Sequence, residues 1–268
     1  MGAHDVRRAH DTATYLYCLV QARSAPSLRR APAGLPGAGR VRALDAGGGL
    51  WLLAADAPLP RYGAAAIERG LRDLGWVSAC AVGHEAVVEH AARAGTVVPM
   101  KLFTLFTSDE RALAHVRRTR RRIDRIVQRV AERDEWGVRL SLDHARARRG
   151  VTARARRGAR GATTGTAFLL RRKQEHDAVR ALLERARVEA DRLYELLARR
   201  ARDARRSTPA QPPDGVRVLL DAAFLVDERQ AAAFRAAVRT EGRRLGAHGL
   251  DLTLTGPWPP YTFVTEPA

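Results

Sequence analysis

Between Trp136 and Leu254 the hydrophobic period of the chain switches repeatedly between that of a strand and that of a helix, and this order leaves few folds open. Trp136, Val138, Leu140 and Leu142 alternate with Gly137, Arg139 and Ser141, the pattern of a strand with one buried face. Val179, Leu182, Ala186, Ala190, Leu193 and Leu197 then recur at spacings of three or four, the stripe of a long helix predicted over about Phe168–Arg205. Such a stripe can pack on a sheet or form a coiled-coil seam, and a register of only about three heptads favours the sheet. Ser207–Gly215, with its three prolines, predicts a linker. Val216–Val226 predicts a strand, 228–246 a helix carrying Ala232, Phe234, Val238 and Leu245, and Leu250–Leu254 a last alternating strand. A split βαβ arrangement with antiparallel partners, ferredoxin-like in outline, accommodates this order.

The preceding residues carry shorter signals. Tyr15–Val20 predicts a first strand, and the Pro-, Gly- and Arg-rich stretch 22–40 a loop. Val41–Leu44 and Leu50–Ala55 flank Asp45-Ala-Gly-Gly-Gly49, a hairpin turn in which glycine accepts positive φ. A helix is expected over about Tyr62–Leu74 with Ile67, Leu71 and Leu74 on one face, then a short strand Val77–Val82. A second helix, His84–Ala94, turns Val87, Val88 and Ala91 inward. Val97–Phe106 predicts a strand interrupted by Pro99, which suits an edge or a bulge. Ser108-Asp-Glu opens a long helix, with a capping side chain and two acids at the positive end of the dipole. Leu113, Val116, Ile123, Val127 and Val130 follow helical spacing. The expectation is an α+β protein of two domains, an N-terminal sheet domain over 1–107 and a ferredoxin-like domain with long helices over 108–268.

The longest apolar runs fall far short of the ~20 residues that cross a bilayer. The sequence therefore predicts a soluble, cytoplasmic protein with no membrane partner. Cys18 and Cys80 each sit in an apolar stretch and read as buried free thiols rather than a disulfide or zinc framework. Of the net charge of +18, nearly all arises over residues 111–206, which hold 29 basic and 12 acidic residues. A field so lopsided favours acidic partners. The 144–166 stretch has seven arginines and little to bury, which predicts a mobile loop; Arg154, Arg156, Arg157 and Arg160 are candidates there for capturing an acidic partner. A nucleic-acid-binding protein is the alternative this charge suggests, although no reader motif or aromatic interleaving accompanies the arginines.

Catalytic signatures do not surface. His84 and His90 bracket Glu85 and Glu89 at the wrong spacing for a zinc helix, and no GxSxG, GxxxxGK or GxGxxG motif stands in the required context. The sequence gives no grounds for an enzyme, a cofactor, a metal or a small-molecule substrate.

Four segments, in order, resemble the gas vesicle protein GvpL/GvpF family. They are Tyr15-Leu-Tyr-Cys-Leu-Val, then Val97-Val-Pro-Met-Lys-Leu-Phe-Thr-Leu-Phe106 with a long helix ending at Glu135-Trp136-Gly-Val, then Asp221-Ala-Ala-Phe-Leu-Val226. The last and most specific is Leu254-Thr-Gly-Pro-Trp-Pro-Pro-Tyr-Thr-Phe-Val264. The resemblance covers about residues 15–264, with 144–166 outside it. Phe103 departs from it, since many members carry glycine there. The resemblance implies two α+β domains, the second a modified ferredoxin-like fold, and a role in forming or lining the gas vesicle shell, with no established catalytic activity. Its implied partners are the major shell protein, a small apolar subunit, and other gas vesicle accessory proteins.

Two further candidate contacts follow from the residues. Gly256 permits a bend and three prolines fix φ, so Gly256-Pro-Trp-Pro-Pro-Tyr261 is expected to be extended and stiff, near polyproline II. Either Trp258 and Tyr261 plug the domain, or Trp258, Pro259, Pro260 and Tyr261 form a preorganised anchor for a partner. Pro99 and Lys101 mark a strand edge that either blocks unwanted pairing or docks a shell-protein strand.

Overall fold

The computed structural model describes residues 11–143, 165–209 and 216–264. The chain forms two compact units. The first runs through Arg133 and takes in the segment from Trp258; the second is Asp134–Pro257. The division falls at Arg133 rather than at residue 107, because the helices after Ser108 belong to the first unit and the last residues return to it.

In the first unit, β1 (Thr12–Gln21), β2 (Arg42–Asp45), β3 (Leu50–Pro58), β4 (Thr96–Pro99) and β5 (Leu105–Phe106) form an antiparallel sheet. Its order is β2-β3-β1-β4, and β5 also pairs with β1. Residues 13–20 of β1 are buried without a break, so both faces of this central strand are covered. The register slips between Leu16 and Cys18, which leaves Tyr17 bulged. The hairpin after Asp45 is as expected: Gly47, Gly48 and Gly49 all take positive φ, and Asp45 Oδ1 accepts from the Gly47 N–H at 2.8 Å.

Three helices follow β3, namely α1 (Leu59–Tyr62), α2 (Ala64–Gly70) and α3 (Leu74–Ala92). Two expectations fail here. The helix over 62–74 ends at Gly70, with Leu71 and Leu74 exposed, and Val77–Val82 lies inside α3 instead of forming a strand. A short apolar run has no period of its own to separate strand from helix. What decides is Asp73, whose Oδ1 accepts from the Gly75 and Trp76 N–H groups at 2.9 and 3.2 Å and so starts the helix before that run. The 97–106 stretch is likewise not one strand: it leaves the sheet after Pro99 and rejoins it at Leu105, with Met100 N–H donating to the Tyr17 carbonyl at 2.9 Å. Then come α4 (Asp109–Arg118), capped by Ser108, and α5 (Arg120–Val130), which are separated at Thr119.

The second unit comprises β6 (Arg133–Asp143), α6 (Gly165–Ala198), β7 (Asp203–Arg206), β8 (Val216–Asp227), α7 (Ala231–Gly246) and β9 (Leu250–Trp258). The βαββαβ chain order and the sheet order β7-β8-β6-β9 are those of a ferredoxin-like fold. Trp136, Val138, Leu140 and Leu142 meet Ala186, Ala190, Leu193 and Leu197 in one core with Phe224 and Phe234, so the α6 stripe packs on the sheet. β7 has no counterpart in the expected elements, which carry the helix to Arg205. Asp-Ala-Arg-Arg has no strand propensity, and it is a strand because it pairs antiparallel with residues 222–225.

Candidate functional site

The segment that stands out in the first unit is the N-terminal half of α3. Cys80, His84, Val87, Val88 and Ala91 form its buried stripe and meet Tyr15, Tyr17, Cys18 and Val20 of β1. Gly83 lets the helix approach the 22–40 loop, since a Cβ there would lie 2.2 Å from the Gly34 carbonyl oxygen. From Leu74 through His84 there is no Asp, Glu, Lys or Arg, in a chain of which 28% is charged. Leu74, Ser78 and Val82 share one outward face at helical spacing. Leu74 is 82% exposed, Val82 66%, and Leu71 just before the helix 56%. A helix apolar on both sides is normally covered on both.

Beneath this face lies a polar and aromatic cluster. The Tyr15 hydroxyl and His84 Nδ1 are 2.6 Å apart and buried. The His84 ring also neighbours Tyr17 and Tyr261. Burial pulls the His84 pKa down to about 4, against a smaller opposing effect of the Met100 backbone. Burial pushes the Cys80 and Cys18 thiols up, and Tyr62 up to about 12. Cys80 and His84 stand one helical turn apart, the separation of a thiol and its base. Both are buried, however, the thiol is held protonated and the imidazole has little affinity for a proton. That chemistry is of a packed core and not of an activated nucleophile. The Glu85 carboxyl, raised by burial, lies beside the Tyr261 hydroxyl, and each influences the other's ionisation without a hydrogen bond of regular geometry. Among the described residues no three His, Cys, Asp or Glu side chains converge as a metal site, and no helix is long and apolar enough to cross a membrane.

The candidate contact residues divide. In the Trp258–Tyr261 run, Pro260 is buried and Tyr261 packs on the core of the first unit, whereas Trp258 stays 42% exposed. The run is not an extended polyproline segment. β9 continues to Trp258, and the chain then turns, with Tyr261 N–H donating to the Pro259 carbonyl at 2.8 Å and Phe263 N–H to that of Pro260 at 3.1 Å. The turn delivers Phe263, which is fully buried, into the unit. Pro99 is buried at the end of β4 and pairs with Cys18, while Lys101 is exposed. Arg154, Arg156, Arg157 and Arg160 lie outside the described residues. The α3 face went unread in the sequence, although the absence of charge over 74–84 is a signal it does contain.

The ferredoxin-like sheet has its own outward side. Opposite the core, β6 and β8 present Gly137, Arg139, Ser141 and Asp221, with Arg139 tied to Asp221 at 2.8 Å. None of these positions offers a ring on which a nucleic-acid base could stack.

The mixed helix-and-sheet fold matches those of solved gas vesicle proteins. GvpF from Anabaena sp. PCC7120 superposes with a TM-score of 0.67 at 18% identity, over 96% of this chain and 98% of that one. GvpF from Microcystis aeruginosa does so with a TM-score of 0.64 at 17% identity, over 95% and 99%. In sequence, gas vesicle protein L from Streptomyces sp. (strain CB03234) is 29% identical over 212 residues, 77% of this chain and 76% of that protein. Residues 13–265 match the profile of the gas vesicle synthesis protein GvpL/GvpF family, and the chain belongs to that family. Membership gives it a role in gas vesicles.

Proposed function

We propose that this chain is a non-catalytic, cytoplasmic protein of gas vesicle assembly that holds the major shell subunit through the uncharged outer face of α3. The observation that carries this is the exposure of Leu71, Leu74 and Val82 around a charge-free helix half. Contiguous apolar surface on a charged protein marks a contact site, and an apolar shell subunit is a chemically matched occupant. A strongly charged body around that patch keeps the complex dispersed while the subunit is carried. Other gas vesicle proteins would use other surfaces, among them exposed Trp258 and Lys101. The buried, protonated state of the Cys80 thiol supports a role without bond-making.

Co-purification tests the assignment. Wild type and L74E/V82E, each tagged, are recovered from cells making vesicles, and the co-purified shell protein is quantified. The double variant should retain its fold and lose at least about tenfold of the shell protein, because two charges would be buried unpaired at the contact. Equal recovery with both would remove the proposal.

A further inference from the structure

A second surface of the first unit has the opposite character. The loop after β1 and the C-terminal turn of α3 border an open surface cavity of about 550 Å³, lined by Arg29, Arg30, His90 and Arg93 with Pro26 and Ala94. No acidic side chain lines it. Among the described residues, none of the three guanidinium groups has a carboxylate within ion-pair distance. Two guanidinium groups of the same unit do have such partners, Arg42 with Asp56 and Asp109 and Arg120 with Asp124. The wall is held in place, because His90 Nε2 donates to the Ser27 carbonyl oxygen at 2.9 Å and so ties loop to helix. The negative end of the α3 dipole accounts for His90 and Arg93. It does not account for Arg29 and Arg30, which come from a loop and add like charge to the same cavity.

We infer that this cavity binds an acidic segment of a partner protein. Converging guanidinium forks are the natural receptor for carboxylates, each able to donate two parallel hydrogen bonds. The pocket is open and of about 550 Å³, room for several acidic side chains of one chain to enter together. Pro26 and Ala94 supply apolar surface for the methylene stems. No Phe, Tyr or Trp lines the cavity, and its one aromatic ring, His90, is tied to the Ser27 carbonyl. The site is separate from the α3 face assigned above to the shell subunit, at the other end of that helix, and gives the protein a second, charge-selected partner.

The probe is a fluorescein-labelled hexaglutamate peptide, titrated by anisotropy against the full chain at physiological salt. Because the whole protein is basic, R29Q/R30Q/R93Q is compared with a charge-matched control, R117Q/R121Q/R125Q, drawn from exposed positions of α4 and α5. The cavity triple should weaken binding at least about tenfold and the control less than about threefold, as expected for directed rather than diffuse charge. R30E, a single change at an exposed loop position, should weaken it as well. L74E/V82E should leave it unchanged, so that failure of the shell contact and failure of this site are told apart. Equal losses in the two triples would overturn the inference. So would displacement of the peptide by equimolar inorganic phosphate, or a single-stranded oligonucleotide that depends on the three arginines more than the peptide does.

Discussion

Phe103 lies flat against Trp76, with ring centroids 5.2 Å apart and planes inclined by 11°, while its own backbone takes φ of 64°. That is the left-handed region, in which a side chain costs about 1–2 kcal/mol and glycine almost nothing. The backbone at Phe103 thus holds a conformation that glycine suits, and the phenyl ring offsets the strain by stacking.

The two contributions separate by mutation. F103A keeps the strain and loses the stack, whereas F103G loses both. F103A should therefore unfold at lower urea than F103G, by a difference of about 1 kcal/mol, with F103G close to wild type. F103A equal to or more stable than F103G would refute the account.

His84 makes stability depend on pH with a definite sign. Its folded pKa of about 4 lies below the ordinary value near 6.5. The unfolded chain therefore takes up a proton that the folded chain refuses. This contribution is fully present above about pH 6.5 and is lost as pH falls toward 4, by about 3 kcal/mol in total. Glu85, pushed up by burial, acts with the opposite sign as pH falls. Urea midpoints measured between pH 7 and 4 should fall less steeply for H84L than for wild type. Parallel curves would show that His84 does not titrate as the burial implies.

Asp109 is the tie between α4 and the sheet. Its carboxylate accepts from Thr14 Oγ1 at 2.7 Å and from Arg42 Nε and Nη2 at 3.0 and 2.7 Å. The Arg42 hydrogen bonds, with that of Thr14, hold its pKa below the usual carboxylate value. This support is present above about pH 4 and is lost as pH falls through the lowered pKa. D109A should cost about 2 kcal/mol at pH 7, from the loss of a charged hub that leaves Thr14 without its acceptor and Arg42 with Asp56 alone, and D109N less. Thermal midpoints at pH 7 and pH 3 measure it, and the difference between wild type and D109A should shrink at the lower pH.

The C-terminal motif divides into a part that packs and a part that does not. F263A should cost about 3–5 kcal/mol, the range for emptying a buried aromatic site. W258A should cost far less, about 1 kcal/mol, since Trp258 keeps 42% of its surface in solvent. A urea transition for each variant decides it, and the reverse order of costs would contradict the packing described.

The sequence alone determined what is local or periodic. The two-residue alternation of Trp136–Leu142 and the three-to-four spacing of Val179–Leu197 bury one face whatever the partner, so the β6–α6 pairing and the ferredoxin-like outline were legible. So were the glycine hairpin after Asp45 and the Ser108 cap, each made by neighbours in the chain. Only the tertiary structure decided the rest. Asp203–Arg206 is a strand because β8 offers it an edge, and 77–82 is helix because Asp73 caps it and Gly83 fits under Gly34. Tyr261 turns inward and Trp258 outward because only the first has a core to enter. Arg29 and Arg30 meet His90 and Arg93 because residues some sixty positions apart are folded against one another. Periodicity records which side of an element is buried; what buries it, and what is left uncovered, depends on contacts that no stretch of sequence contains.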